Sequence, residues 1–157
     1  MNFKDFFVEE RARALAQVLL TRRDDLVVDE TKKDTGLDFT VSVRREDHPG
    51  PRPFGVVIKS AMASASVDQA NQQLKPTMAS VRKSGPFAYP VCVFFFTAKD
   101  DKGYFTWVYE PEVTEAGDAK LKASLEADLR ALNDASLDEI IRSVHHWYDA
   151  FFAAIVA

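Results

Sequence analysis

The chain has 157 residues, 46% of them hydrophobic, and a net charge of −4 at pH 7. That length fits one domain whose core needs no disulfide or structural metal, and the single cysteine, Cys92, excludes an internal disulfide. The negative balance excludes a general electrostatic grip on nucleic acid, no apolar run approaches a membrane span, and charges close to Met1 leave no signal-peptide core, so a cytoplasmic location is expected.

From Phe3 to Leu20 the residues Phe3, Phe7, Ala14 and Val18, with Leu15 at the edge, predict a helix with that face buried. Leu26-Val27-Val28 is short and β-branched, and Phe39, Val41 and Val43 alternate with Thr40 and Ser42, so two strands follow. Three prolines and a glycine between His48 and Pro53 force a turn before the strand Phe54 to Ile58. Ser66-Val67-Asp68-Gln69 has the capping-box pattern of a helix start, Pro76 is expected to kink or end the first half of that helix, and Gly85-Pro86 closes it.

Val91 to Thr97 reads as a fully buried strand containing Cys92, and Asp100 to Gly103 as a turn into a strand from Tyr104 to Tyr109, ended by Glu110-Pro111. Leu121, Leu125, Leu129 and Leu132 predict a third helix. Ser136-Leu137-Asp138-Glu139 then caps a last helix, whose stripe of Leu137, Ile141, Val144, Tyr148, Phe151 and Ile155 packs on the sheet or, alternatively, forms a dimer seam. The whole predicts one α/β domain: a mixed β-sheet flanked by helices, with a core over about residues 3–110 and a C-terminal helical pair over about 119–156.

The polar residues of the middle strands are where chemistry can sit. Strand alternation puts Asp38, Thr40 and Ser42 on one face, and Lys59 on the same face of its strand as Val57, so Asp38 and Lys59 are expected to converge at one sheet edge. A carboxylate beside a lysine suits metal-assisted phosphodiester hydrolysis, the acid holding Mg²⁺ or Mn²⁺ and the lysine stabilising phosphate charge. Glu10, on the flank of the apolar face of the first helix, is chosen over Glu9 as a further inward acid and metal ligand. Each also has a structural reading: Asp38 as a turn carboxylate after Gly36, Lys59 as a solvated strand end, and Glu10 as a helix-surface acid.

The adjacent spacing of His145-His146 points two imidazoles apart, unlike a zinc-binding pair. Cys92 is expected to be buried and inert, and Trp107 and Tyr109 to pack in the sheet rather than stack on bases. The basic pairs Arg22-Arg23, Lys32-Lys33, Arg44-Arg45 and Arg82-Lys83 fall near element ends, where solvated charge is the ordinary case and a local basic face the alternative.

The element order, with Glu10, Asp38 and Lys59, resembles the PD-(D/E)xK nuclease superfamily. Gly36-Leu37-Asp38-Phe39, Val57-Ile58-Lys59-Ser60, Tyr89-Pro90-Val91 and Tyr104-Phe105-Thr106-Trp107 resemble a bacterial branch of it, domain-of-unknown-function family 4365, over about residues 3–110. The resemblance implies a restriction-endonuclease-like fold, a Mg²⁺- or Mn²⁺-dependent site, DNA or RNA as partner, and a role in nucleic-acid processing or bacterial defence. It also implies an acid, or in that branch often glutamine, two residues before the lysine; here that residue is Val57, which offers no ligand, and neither Gln69 nor Gln72 replaces the charge. A weak or degraded site follows, and a Val57→Glu change is expected to raise Mn²⁺ affinity. The alternative is a non-catalytic interaction module, an immunity or regulatory protein binding a protein or nucleic acid, with a homodimer through the last helix as a further possibility.

Overall fold

The computed structural model describes residues 3–31, 35–47, 50–63 and 65–156, with side chains in the first helix described from Asp5 onward. Lys32-Lys33, His48 and Pro49 of the proline-rich turn, and the Phe3 side chain lie outside the described residues. The order is α1 (Phe3–Thr21), β1 (Leu26–Glu30), β2 (Phe39–Val43), β3 (Pro53–Ala61), α2 (Val67–Gln73), α3 (Lys75–Ser84), β4 (Val91–Thr97), β5 (Lys102–Val113), β6 (Ala119–Ala123), β7 (Arg130–Ala131) and α4 (Asp134–Val156). The strands form one mixed sheet in the order β1-β2-β3-β4-β5-β6, with β7 against β5. Among the described strands only β3 and β4 pair in parallel, with α2 and α3 carrying the chain across the sheet between them.

Each face of the sheet is covered. On one side α1 and α4 pack Ala12, Ala16, Leu20, Leu137, Ile140 and Val144 against Phe39, Val56, Phe94 and Trp107. On the other, Ala70, Leu74 and Met78 of α2 and α3 meet Val57, Val93 and Phe95. β4 is buried along its whole length, which is why it reads as an unbroken apolar run, and Cys92 within it is fully buried with its thiol pKa pushed up by that burial. Trp107 is buried in the sheet as expected.

The expected capping box is present: Ser66 Oγ accepts from the Gln69 amide at 3.2 Å while Gln69 Oε1 accepts from the Ser66 amide at 3.0 Å. The helix breaks at Leu74, with Pro76 in the first turn of α3, where its missing N–H costs nothing. Tyr109 lies on β5 and packs its ring 6.0 Å from that of Phe87.

Four expectations are corrected. The helix over Leu121 to Leu132 is absent: Ala119 to Ala123 form β6, whose Lys120 and Lys122 alternate with Leu121 at the period of a strand. Its leucines do not share a face, since Leu121 packs with the α1/α4 side, Leu129 with the α2/α3 side, and Leu125 is exposed. The C-terminal helical pair is therefore the single helix α4, which starts before Ser136: Asn133 Oδ1 accepts from the Ser136 amide and Ser136 Oγ from the Asn133 amide, both at 2.9 Å. Third, β5 runs through Pro111. The Ser124 amide donates to Val108 O and the Thr114 amide to Asp118 O, so even-numbered residues of β5 bond β6, and the Pro111 nitrogen faces the side that β4 leaves at Tyr109.

The fourth correction turns α1. Its buried residues are Val8, Ala12, Ala16 and Leu20, while Phe7 and Val18 are exposed. Small alanines let the helix lie close on the sheet, and a two-armed, solvent-exposed ion pair joins Arg11 to Asp101 in the β4–β5 turn.

α4 is also tied to the start of β3 by a buried arginine. Arg52 is 2% exposed, pairs with Asp149 at 2.8 Å, donates to His145 O at 3.1 Å and lies 3.2 Å from His145 Nδ1. Burial, then Arg52, then Arg45 hold the His145 imidazole below its ordinary value of 6.5, against the opposing pull of Asp149 and Asp25. A depressed histidine stabilises the fold above its unfolded pKa, and that contribution is lost as pH falls below it. The midpoint of thermal unfolding is thus expected to fall between about pH 7 and pH 5.5, and His145→Gln to flatten that slope. An unchanged slope in the variant would place the proton elsewhere.

Candidate functional site

Asp38 stands just before β2, and the turn before it is built to present it. Gly36 adopts φ +82°, a conformation that resists a side chain, and Thr35 Oγ1 accepts from the Leu37 amide at 3.2 Å. The Asp38 amide donates to Val56 O at 2.9 Å and its carbonyl accepts from the Thr31 amide at 3.1 Å, fixing the residue between β1 and β3. β2 pairs with β3 only as far as Phe39 opposite Val56, so the Ile58 amide lies beyond the ladder on that side. The Asp38 carboxylate takes it, with Oδ2 accepting from Ile58 N at 2.7 Å. Asp38 therefore does cap an amide, one of β3 rather than of its own turn.

The other carboxylate oxygen faces a cation from within the chain. Arg13 Nη1 donates to Asp38 Oδ1 at 2.7 Å, while its Nη2 reaches Glu30 Oε1 at 3.4 Å. The guanidinium carbon sits 5.2 Å from the centroid of the Phe39 ring, so the arginine is held by an aromatic face as well as by two carboxylates. Glu9, Arg13, Asp38, Ile58, Lys59 and Ser60 together line a hollow of about 250 Å³. Asp38, just before β2, and Lys59, near the end of β3, thus line the same hollow.

Glu10 does not join them. It is exposed and lines none of the described hollows; one residue earlier on α1, Glu9 lies on the side that Arg13 shares, because the buried face runs through Val8 and Ala12. The rotation of α1 thus puts Glu9 on the lining of that hollow. Val57, two residues before Lys59, is 4% exposed and lies opposite Val93, under Ala70, Leu74 and Met78. Gln69 serves its cap, and Gln72 lines a different hollow with Asp68, Asn71 and Glu126.

The donor set does not fit a divalent metal ion. Hard cations take several carboxylate or carbonyl oxygens, and here the Asp38 carboxylate already has the Arg13 guanidinium on one oxygen, a positive charge that opposes a second cation, and the Ile58 amide on the other. Among the described residues no three acidic, histidine or cysteine side chains converge on one point. A larger hollow of about 450 Å³, lined by Arg23, Arg45, Arg142, His145, His146 and acids of α4, is an ion-pair lattice: Arg23 pairs with Asp25 and Asp138, and Arg45 with Asp149. Its pairs join the end of α1 and the end of β2 to α4.

Arg13 is the residue that sequence reasoning missed, since its partners lie 17 and 25 residues away. Its place four residues after Glu9, and beside the buried Ala12, is the local signal that it flanks the inward face. No family model, no curated protein and no solved structure matches this chain. No described helix is long and apolar enough to cross a membrane.

Proposed function

We propose that this chain is a non-catalytic interaction module with a nuclease-like element order, which binds a protein partner rather than cleaving nucleic acid. The observation that carries the reading is the engagement of both Asp38 oxygens, by Arg13 and by the Ile58 amide, beside a Val57 buried in an apolar cluster. Such a carboxylate keeps unused lone pairs, but a metal ion bound there would meet the positive charge of Arg13, whose Nη1 lies 2.7 Å from Oδ1.

Charge favours protein over nucleic acid. Glu9, Glu30 and Asp38 outnumber Arg13 and Lys59 at the hollow, and the chain as a whole carries −4, so phosphate backbones are not drawn to it. The hollow continues through Glu9 and Ser60 into one lined by Val8, Ala61 and Met62, and Phe6 is exposed on α1 next to Asp5 of that lining. Apolar residues beside a rim of charges suit contact with another protein.

A second reading, a metal-dependent nuclease linked to nucleic-acid processing or bacterial defence, is favoured by one observation: Glu9, Asp38 and Lys59 line a single hollow. The deciding experiment incubates the chain and its Asp38→Ala variant with labelled single- and double-stranded DNA and RNA in Mg²⁺ or Mn²⁺. The interaction reading expects no product that depends on Asp38. Cleavage by the parent chain that disappears in Asp38→Ala would establish the nuclease.

A further inference from the structure

β1 ends the sheet: it touches β2 along one side and α1 across one face, and among the described strands none lies beyond it. The Arg44 amide donates to Asp25 O at 2.7 Å and the Thr31 amide to Asp38 O at 3.1 Å. In the register that sets Val28 opposite Val41, the odd-numbered residues of β1 therefore bond β2. The N–H and C=O groups of Leu26, Val28 and Glu30 point the other way, where no hydrogen bond among the described residues reaches them. The two edges of the sheet are guarded differently. β6, at the far edge, carries Lys120 and Lys122, and flexible lysines keep other strands away. β1 has no lysine, proline or glycine and no shift of register; its charges are Asp29 and Glu30, both exposed beside the exposed Val27.

We propose that β1 is a docking edge: it takes an extended segment of a protein partner as an added strand, with an apolar residue opposite Val28 and lysine or arginine opposite Asp29 and Glu30. The inference rests on the interaction reading above and gives the partner its chemistry. Three residues of unpaired main chain, each with a donor and an acceptor, hold the segment, and the two acids select its side chains. Both acids are open to it, since Glu30 meets Arg13 at 3.4 Å yet stays 65% exposed, and Asp29 has no ion-pair partner among the described residues. Charge also argues against a second copy of the chain in this place. Pairing β1 with another β1 brings two sets of Asp29 and Glu30 into one strand pair, between chains that each carry −4.

The test titrates the isotope-labelled full chain with the blocked peptide Thr-Lys-Lys-Val-Thr-Val-Thr, which fits an antiparallel strand, and with its reverse, which fits a parallel one. Amide resonances and their exchange with solvent are followed by nuclear magnetic resonance. In the free chain the amides of Leu26, Val28 and Glu30 are expected to exchange at least about tenfold faster than those of Val27 and Asp29, which bond β2. One of the peptides should bind with a Kd below about 1 mM and slow the first three, with shifts confined to β1 and its neighbours. Replacing its lysines by glutamates should abolish binding. Asp29→Lys, at an exposed position, should keep the fold, weaken binding about tenfold, and regain it with a peptide carrying glutamate at the facing position. Val28→Pro, which removes an outward N–H that β2 does not use, should weaken binding as well. The proposal is overturned if neither peptide binds, if the glutamate peptide binds equally well, or if the shifts lie away from β1. It is overturned too if the same amides slow with chain concentration alone, which would make the occupant a second copy. Failure of the peptides leaves the interaction reading to the Asp38→Ala cleavage assay, which does not involve this edge.

Discussion

A chain ending at Asn133 is expected to be unfolded. α4 places Leu137, Ile140, Ile141, Val144, Trp147 and Tyr148 in the core, each 5% exposed or less. Burying a large apolar side chain contributes roughly 1.5–3 kcal/mol, so six of them amount to about 10 kcal/mol even after allowing for a compact unfolded state. That is comparable with the whole stability of a domain of this size, roughly 5–15 kcal/mol. The truncation also removes the partners of Arg52, leaving a buried guanidinium without Asp149. Circular dichroism and thermal unfolding would read the loss directly. A truncated chain that kept a cooperative transition and merely changed from dimer to monomer would instead make α4 an association helix. The milder Leu137→Ala change, at a fully buried site, is expected to cost about 2–5 kcal/mol.

Val57→Glu is expected to destabilise the fold by at least about 3 kcal/mol and to leave Mn²⁺ affinity unchanged. The position faces Val93 and lies in the apolar cluster beneath α2 and α3, so a carboxylate there loses its hydration and meets no charged partner in that cluster. From the sequence, the same change promised a restored ligand. Val57 does not line the hollow of Asp38, where the charge of Arg13 already opposes a metal ion, so the added acid completes no metal shell there. For a domain of this length the midpoint should fall by roughly 6–15 °C, measured alongside a Mn²⁺ titration. A variant as stable as the parent that gained metal-dependent cleavage would contradict this placement of Val57.

How far the sequence carried the structure follows from what each element buries. β4 was legible because both of its faces are covered, which leaves only apolar residues from Val91 to Phe96, and β2 because one face is covered, which leaves alternation. α1 misled because the middle of its buried side is Ala12 and Ala16 while Phe6, Phe7 and Val18 point outward; hydrophobicity alone ranks those residues above the two alanines. The leucines from Leu121 to Leu132 misled in another way, since their helical spacing is an accident of residues distributed over both sides of the sheet. Asp38 and Lys59 line one hollow although Asp38 stands just before β2, where strand alternation does not yet apply. The role of Arg13 was not legible, because its spacing from Glu9 marks only the flank of the helix, while its partners Asp38 and Glu30 lie in other parts of the chain.

The most direct test of the account is a crystal structure of the chain grown with Mn²⁺ and collected at a wavelength where manganese scatters anomalously. The account predicts no anomalous peak at Asp38, with Arg13 Nη1 about 2.7 Å from Asp38 Oδ1 and the Ile58 amide on Oδ2. A manganese ion bound to Asp38 and Glu9, with Arg13 swung out of the hollow, would contradict it.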